Sequence, residues 1–326
     1  MNEYLYTFAC HEDEQLLGGM ERRALFGGDG LPAVDRGRFV VSRRAIDASR
    51  SPFVKQRIEV IAESGDPEQI AAQMERTVRL DGATFKIVYV PADEDAADYD
   101  ERRRIERLIG ARVVGRADMK RPDAVFGIAR ANGRWLFGPC EDNAAVWLRN
   151  SRKPRNYSTA LGTRLARALV NIAAPEPAGL RLVDPCCGMG TVLVEAMSMG
   201  IAIAGFDINP LAVRGARDNL AHFGMPQDAV ALGDMRELNG AYDAAIVDLP
   251  YNLCSVLSAG ERMELLRAVR RLAHRAVIVS TESIDADVAA AGFAIQDRCT
   301  VSKGSFARQV LAAESSSFRP VPSPLV

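Results

Sequence analysis

The residues best suited to chemistry lie in the second half of the chain, beginning with Asp184-Pro-Cys-Cys-Gly188-Met-Gly190-Thr. Two glycines within three residues let a backbone turn tightly and approach a ligand with no Cβ in the way. The helical pattern that follows offers free N–H groups at its start. A dinucleotide-binding turn would place a third glycine at 193, where this chain has leucine. Three more acids follow: Asp207 in Asp-Ile208-Asn-Pro, Asp234 before Met235, and Asp248 in Asp-Leu-Pro250-Tyr251. Asp207, seventeen residues past Gly190, can accept hydrogen bonds from ribose hydroxyls, and Asp234 from an adenine amine. One aspartate at a strand end is an ordinary turn former. Four of them in register with a Gly-rich turn line the sheet edge where open α/β folds bind ligands.

That register requires particular elements. Leu180–Val183 reads as a strand ending at Asp184, followed by a helix over Thr191–Met199. Ile201–Phe206 is a second strand, and Asn209-Pro210 supplies an N-cap with proline at the first helical position of a helix to about His222. Val230–Leu232 and Ala244–Val247 are short apolar strands, Glu261–Ala273 is a helix, and Ala276–Ser280 is the next strand. Short buried strands alternating with helices predict a doubly wound parallel sheet. Phe293–Val301 and Phe306–Ala312, around Lys303-Gly304, predict an antiparallel hairpin added at the sheet edge. The Ser- and Pro-rich segment 316–326 reads as a disordered tail.

The first half is less regular. It suggests a mixed α+β region, with strands at Tyr4–Ala9, Phe85–Val90, Ala124–Ile128 and Trp135–Phe137 and helices at Asp13–Phe26 and Asp98–Ile109. We divide the chain into an accessory region (1–60), an RNA-binding region (61–150, on the resemblance given below), a catalytic domain (151–315) and the tail. Net charge is −1 overall, but Glu101–Arg155 carries fourteen Lys/Arg against six Asp/Glu. Such a stretch marks a phosphate-binding surface or a solvated face. A hydrophobic share of 48% with 25% charged residues is that of a globular protein. No apolar run approaches a membrane span and MNEYLYTFACHEDE has no signal pattern, so the expected location is the cytoplasm. The six scattered cysteines include no C-x-x-C pair, so no structural metal is expected.

Asp184-Pro-Cys-Cys-Gly-Met-Gly-Thr, Asp207-Ile-Asn-Pro and Asp248-Leu-Pro-Tyr-Asn resemble the motifs of class I methyltransferases that act on base amino groups. More narrowly, the chain resembles the tRNA guanine-10 N2-methyltransferase family, in which a THUMP RNA-binding domain precedes such a catalytic domain. Lys153-Pro-Arg-Asn-Tyr157-Ser is similar to that family's joining segment, and Pro122–Phe126 with Gly133–Gly138 to the end of a THUMP domain. The resemblance implies S-adenosylmethionine as cofactor and structured RNA, tRNA foremost, as partner; a monomer is expected because no self-associating motif is visible. It implies that Asp184, Cys186, Gly188 and Gly190 hold the methionine portion, Asp207 and Ile208 the ribose side, and Asp234 and Met235 the adenine. Asp248 and the Pro250 carbonyl would accept hydrogen bonds from the target amine, with Tyr251 stacked on the base. The family pattern has proline where this chain has Leu249.

Rival readings are a DNA adenine or cytosine amino-methyltransferase, a nicotinamide oxidoreductase, and a non-catalytic RNA binder on the same fold. The oxidoreductase leaves Asp248-Leu-Pro-Tyr unexplained, the DNA enzyme differs in its acceptor, and the RNA binder differs from an RNA methyltransferase only in turnover.

Overall fold

The computed structural model describes residues 2–27, 37–92, 97–157, 160–250, 257–303 and 306–315. Tyr251, Ser158, Cys254, the turn at Gly304 and the tail 316–326 lie outside the described residues. The first elements are β1 (Glu3–Phe8), α1 (Gln15–Phe26), β2 (Phe39–Ser42), β3 (Val54–Val60) and β4 (Ala62–Ser64). Then come α2 (Pro67–Thr77), β5 (Arg79–Tyr89), α3 (Tyr99–Gly110), β6 (Val114–Ala117), β7 (Ala124–Ala131) and β8 (Arg134–Asp142).

Two compact units form: Met1–Cys10 with Phe26–Ala144, and His11–Leu25 with Ala145–Val326. The strands of the first unit run in the order β2-β1-β3-β8-β7-β5-β6, with β4 also on β8. Only β5 pairs in parallel, with β6 and β7. Residues 1–60 and 61–150, read apart in the sequence, thus share one sheet, because β3 pairs with β8. Side-chain alternation on β7 explains the two cores: Phe126 and Ile128 pack with Ile70, Met74, Ile105 and Ile109 of α2 and α3, while Ala129 and Ala131 pack with Leu5 and Ile58. Asp66 and Asp98 cap the two helices by accepting from Gln69 and Glu101 N–H groups. Gly138 lies where β8 passes from β3 to β4, and a Cβ there would overlap the Glu59 carbonyl oxygen.

The second unit takes in α1 and continues with α4 (Val146–Asn150), α5 (Thr163–Ala173), β9 (Arg181–Asp184), α6 (Thr191–Ser198) and β10 (Ala202–Asp207). It goes on through α7 (Pro210–His222), β11 (Val230–Leu232), β12 (Tyr242–Asp248), α8 (Ala259–Leu272) and β13 (Ala273–Ser280). It ends with α9 (Asp285–Ala290), β14 (Phe293–Lys303) and β15 (Phe306–Ser315). Its strand order is β11-β10-β9-β12-β13-β15-β14. The first five are parallel and the last two form the expected antiparallel hairpin, β15 lying against β13. Ala245 and Val247 of β12 pack on Leu265, Leu266 and Val269 of α8. Ala244 and Ile246 are buried as well, so both faces of the strand are covered.

Helix α1 joins this unit although it lies between β1 and β2 in the chain. Asn171 of α5 donates to Glu21 at 2.6 Å, and Arg23 holds both Asp297 oxygens on β14 at 2.9 and 3.0 Å. No helix among the described residues is long and apolar enough to cross a membrane.

Candidate functional site

The strand order of the second unit reverses between β9 and β12, the switch at which doubly wound sheets open a crevice beyond the carboxyl ends of their strands. Asp184 ends β9 and Asp248 ends its neighbour β12. Both line one cavity of about 180 Å³, together with Cys186, Gly188, Met189, Leu249 and Pro250, and with Tyr157, Ala160 and Leu161 from the segment before α5.

The turn after β9 is built from backbone bonds. Cys187 N–H donates to the Phe206 carbonyl at 2.8 Å, and Gly190 N–H to the Cys187 carbonyl at 2.8 Å. Gly188 has φ +53° and Gly190 φ +74°, the left-handed region that favours glycine. At Gly190 a Cβ would also press on the Ala216 methyl at 3.2 Å. Asp207 secures this turn, its two carboxylate oxygens accepting the Gly188 and Asn209 N–H groups, each at 2.8 Å. Asp184 is 4% exposed and accepts from the Cys186 N–H at 3.3 Å. Burial holds its carboxyl well above the usual range, and the nearby Asp248 and Asp207 carboxylates add to the rise.

Asp248 is the chemically distinctive group. Its Oδ1 is buried and has no hydrogen-bond partner among the described residues. Burial pushes its carboxyl up to about 6, with Arg308 acting in the opposite direction. A buried acceptor without a donor is costly unless a ligand supplies one. Its main-chain carbonyl accepts from the Cys186 thiol at 3.3 Å, and the next N–H, from Leu249, donates to the Val279 carbonyl at 3.0 Å.

The other expected residues are placed differently. Asp234 is gripped by Arg236, which reaches both of its oxygens and holds its carboxyl low; neither it nor Met235 lines the cavity. Met235 is 4% exposed and packs with Val183, Val247 and Leu249. Ile208 is 66% exposed, and neither it nor Asp207 or Gly190 borders the cavity. Tyr251, as noted, is outside the described residues.

Sequence reasoning missed Asn219. This buried side chain on α7 accepts from Arg155 N–H at 2.8 Å and donates to the Arg155 and Met189 carbonyls at 2.9 and 2.8 Å, tying the connector to the Gly-rich turn. Helical Asn carries no sequence signal for such a role. The basic stretch Glu101–Arg155 is divided between the two units at Ala144. Arg103, Arg104, Arg112, Arg134 and Arg155 pair with carboxylates, and Lys153 is buried. Arg107, Arg116, Lys120 and Arg121 are exposed on the first unit. Among the described residues no three His, Cys, Asp or Glu groups converge to hold a metal ion.

This combination defines a class: a doubly wound sheet with a C-terminal antiparallel hairpin, a Gly-rich turn after β9 and a buried unpartnered acid at the end of β12. Residues 149–294 match the family model of the UPF0020, RMKL-like methyltransferase domain. The chain is similar to the tRNA (guanine(10)-N2)-dimethyltransferase of Methanothermobacter thermautotrophicus, 32% identical over 51% of this chain and 52% of that one. It is also similar to the enzyme of the same name from Pyrococcus abyssi, 28% identical over 48% of this chain and 50% of that one. The chain therefore spans about half the length of the curated relatives it matches. Among solved structures it is similar to TrmN from Thermus thermophilus, with a TM-score of 0.50 at 20% identity, covering 96% of this chain and 99% of that one. The motif resemblance is thus matched over residues 149–294, and the fold is shared with that solved structure.

Proposed function

We propose that this chain is a cytosolic, monomeric, S-adenosylmethionine-dependent enzyme that methylates an exocyclic base amine in structured RNA, with guanine N2 in tRNA as the acceptor. The observation that carries the reading is the buried, unpartnered Asp248 Oδ1 beside the Gly-rich turn, in one cavity. S-adenosylmethionine, when bound, supplies an activated methyl group. The residues present suit it: the Gly188 and Gly190 turn leaves room for close backbone approach, and Asp207, at the end of β10, serves the ribose hydroxyls in this reading while it holds the turn. Asp234 serves adenine in this reading only if Arg236 yields one of its oxygens.

An exocyclic amine is a poor nucleophile because its lone pair is delocalised into the ring. Asp248 Oδ1 and the Pro250 carbonyl accept its N–H groups, favour the tetrahedral nitrogen, and stabilise the positive charge that develops as the methyl group arrives. Tyr251 stacks on the base and offsets part of the cost of unstacking it. Support for RNA comes from the names of the curated relatives and from the exposed arginines of the first unit, which we read as THUMP-like.

The test is transfer of labelled methyl groups to total tRNA, rRNA and DNA. Label in tRNA recovered as N2-methylguanosine supports the proposal. Label confined to DNA would move the assignment to a DNA amino-methyltransferase, and binding of the cofactor with no transfer to any acceptor would leave a non-catalytic binder. Cofactor binding is read separately. At a hundredfold excess over Kd, S-adenosylmethionine should stabilise the protein by about 2.7 kcal/mol and raise its melting temperature, whereas NAD should not. Asp207→Ala should abolish that shift, and an undiminished shift would remove Asp207 from the cofactor site.

A further inference from the structure

The peptide group between Asp248 and Leu249 is held at both ends. Its carbonyl oxygen accepts from the Cys186 thiol at 3.3 Å, and its N–H donates to the Val279 carbonyl at 3.0 Å. A peptide group is planar, so fixing its oxygen and its nitrogen fixes the whole plane. That plane sets the direction in which Asp248 presents its carboxylate and in which the chain enters Pro250. The two holds have different sources. Val279 belongs to β13, the neighbour of β12, and this bond adds one rung to the ladder beyond the Asp248↔Val279 pairing. Cys186 belongs to the Gly-rich turn after β9, two residues before Gly188.

Leu249 keeps the plane from drifting. Its side chain is 4% exposed and packs with Val247, Leu265 and Ile278. Proline at 250 also restricts Leu249 to extended backbone, which suits a strand rung. Because Leu249 donates a hydrogen bond, proline in its place would lose that rung. Cys186 is partly buried, and burial pushes its thiol far above its usual range, so it stays a protonated donor at neutral pH.

We propose that Cys186 is a positioning residue: through the Asp248 carbonyl, its thiol locks the substrate-side loop to the cofactor-side turn. The inference rests on the function proposed above. It couples the two halves of the cavity, so the group that would hold the methyl donor also sets where the target amine is held. The thiol itself touches neither reacting atom.

The experiment compares the full-length wild type with Cys186→Ala and Cys186→Ser. Steady-state kinetics use the RNA that accepts label, and hydrogen exchange is followed at the Leu249 amide. In Cys186→Ala, kcat should fall about fivefold, the size expected for one lost hydrogen bond. Leu249 exchange should quicken by about the same factor. Cys186→Ser, which keeps a donor, should recover most of both losses. If Cys186→Ala matches the wild type in rate and exchange, the lock does not exist. If alanine and serine are equally impaired, side-chain volume rather than the hydrogen bond is responsible, and the proposal is overturned. A wild type that transfers no methyl group fails the functional reading, and the exchange comparison then decides the lock by itself.

Discussion

Asp248→Ala should slow methyl transfer about a hundredfold to a thousandfold, the range seen when one preorganised polar contact to developing charge is removed. The buried Oδ1 has no partner among the described residues and so is available to an acceptor amine. Asp248→Asn separates charge from shape, because an amide oxygen still accepts but no longer titrates. Burial raises the Asp248 carboxyl from 3.8 to about 6. The wild-type rate should therefore fall as pH drops through about 6, while the Asn variant keeps a flat profile over that window. The effect on stability has the opposite direction. A carboxyl whose folded value is raised contributes stability that is fully present below its unfolded value of 3.8 and is lost as pH rises through about 6. At pH 7.5 the ionised group costs folding on the order of 2–3 kcal/mol. Asp248→Asn should thus melt higher than wild type at pH 7.5, with the difference closing near pH 4. An Asn variant that melts at or below the wild type at pH 7.5 would remove the case for a strained, ligand-ready carboxylate.

The second large effect belongs to the support beneath the site. Glu195 on α6 is fully buried and accepts from Arg167 of α5 at 2.8 Å and from Asn150 at 3.0 Å; Arg167 also reaches the Ser198 hydroxyl at 3.0 Å. Burial pushes the Glu195 carboxyl up, and the Arg167 contact offsets part of that rise. Lys153, 6% exposed in the connector, is drawn down by burial and steadied by the Glu195 charge. Glu195→Leu would leave the Arg167 charge buried without its carboxylate and should cost about 3–5 kcal/mol in urea unfolding. Pairing it with Arg167→Met should restore a large part of the loss, since an apolar pair of similar volume needs no compensation. Equal stability of the two single variants and the wild type would mean that water reaches this network.

The regular half of the fold was readable because its signals are local. Asn209 accepts from the Leu211 N–H at 2.9 Å with Pro210 at the first helical position, as the dipeptide implied. Strands β9 to β13 were found through short apolar runs between helices, a pattern that burial on both faces imposes. By contrast β2, β3, β4, β6 and the helix α2 passed unnoticed. β2, β4 and β6 have only three or four residues each, β3 carries charged or polar residues at four of its seven positions, and the strands' hydrogen bonds come from partners far along the chain. Within the site, Asp184, Gly188 and Asp248 converge on one cavity, as their spacing after successive strands suggested, together with Cys186 and Pro250, which the motif resemblance added. Asp234 shows what spacing misses: its position at a strand end was correct, but its carboxylate is taken up by an arginine two residues on. The count of basic residues over Glu101–Arg155 likewise said nothing of the acids that oppose them, such as Glu68 and Glu75, which lie outside that stretch.

The membership of α1 in the second unit bears on synthesis. During synthesis Arg23 must wait 274 residues for Asp297, and Glu21 must wait 150 for Asn171. At about 5–20 residues per second, the longer wait is roughly 15–55 s of translation. During that time α1, whose Leu17, Met20 and Leu25 are buried in the finished protein, waits for the rest of its unit. The second unit cannot be completed co-translationally from its own contiguous stretch, and separating the two halves by a single cut at 145 would leave one of its helices behind.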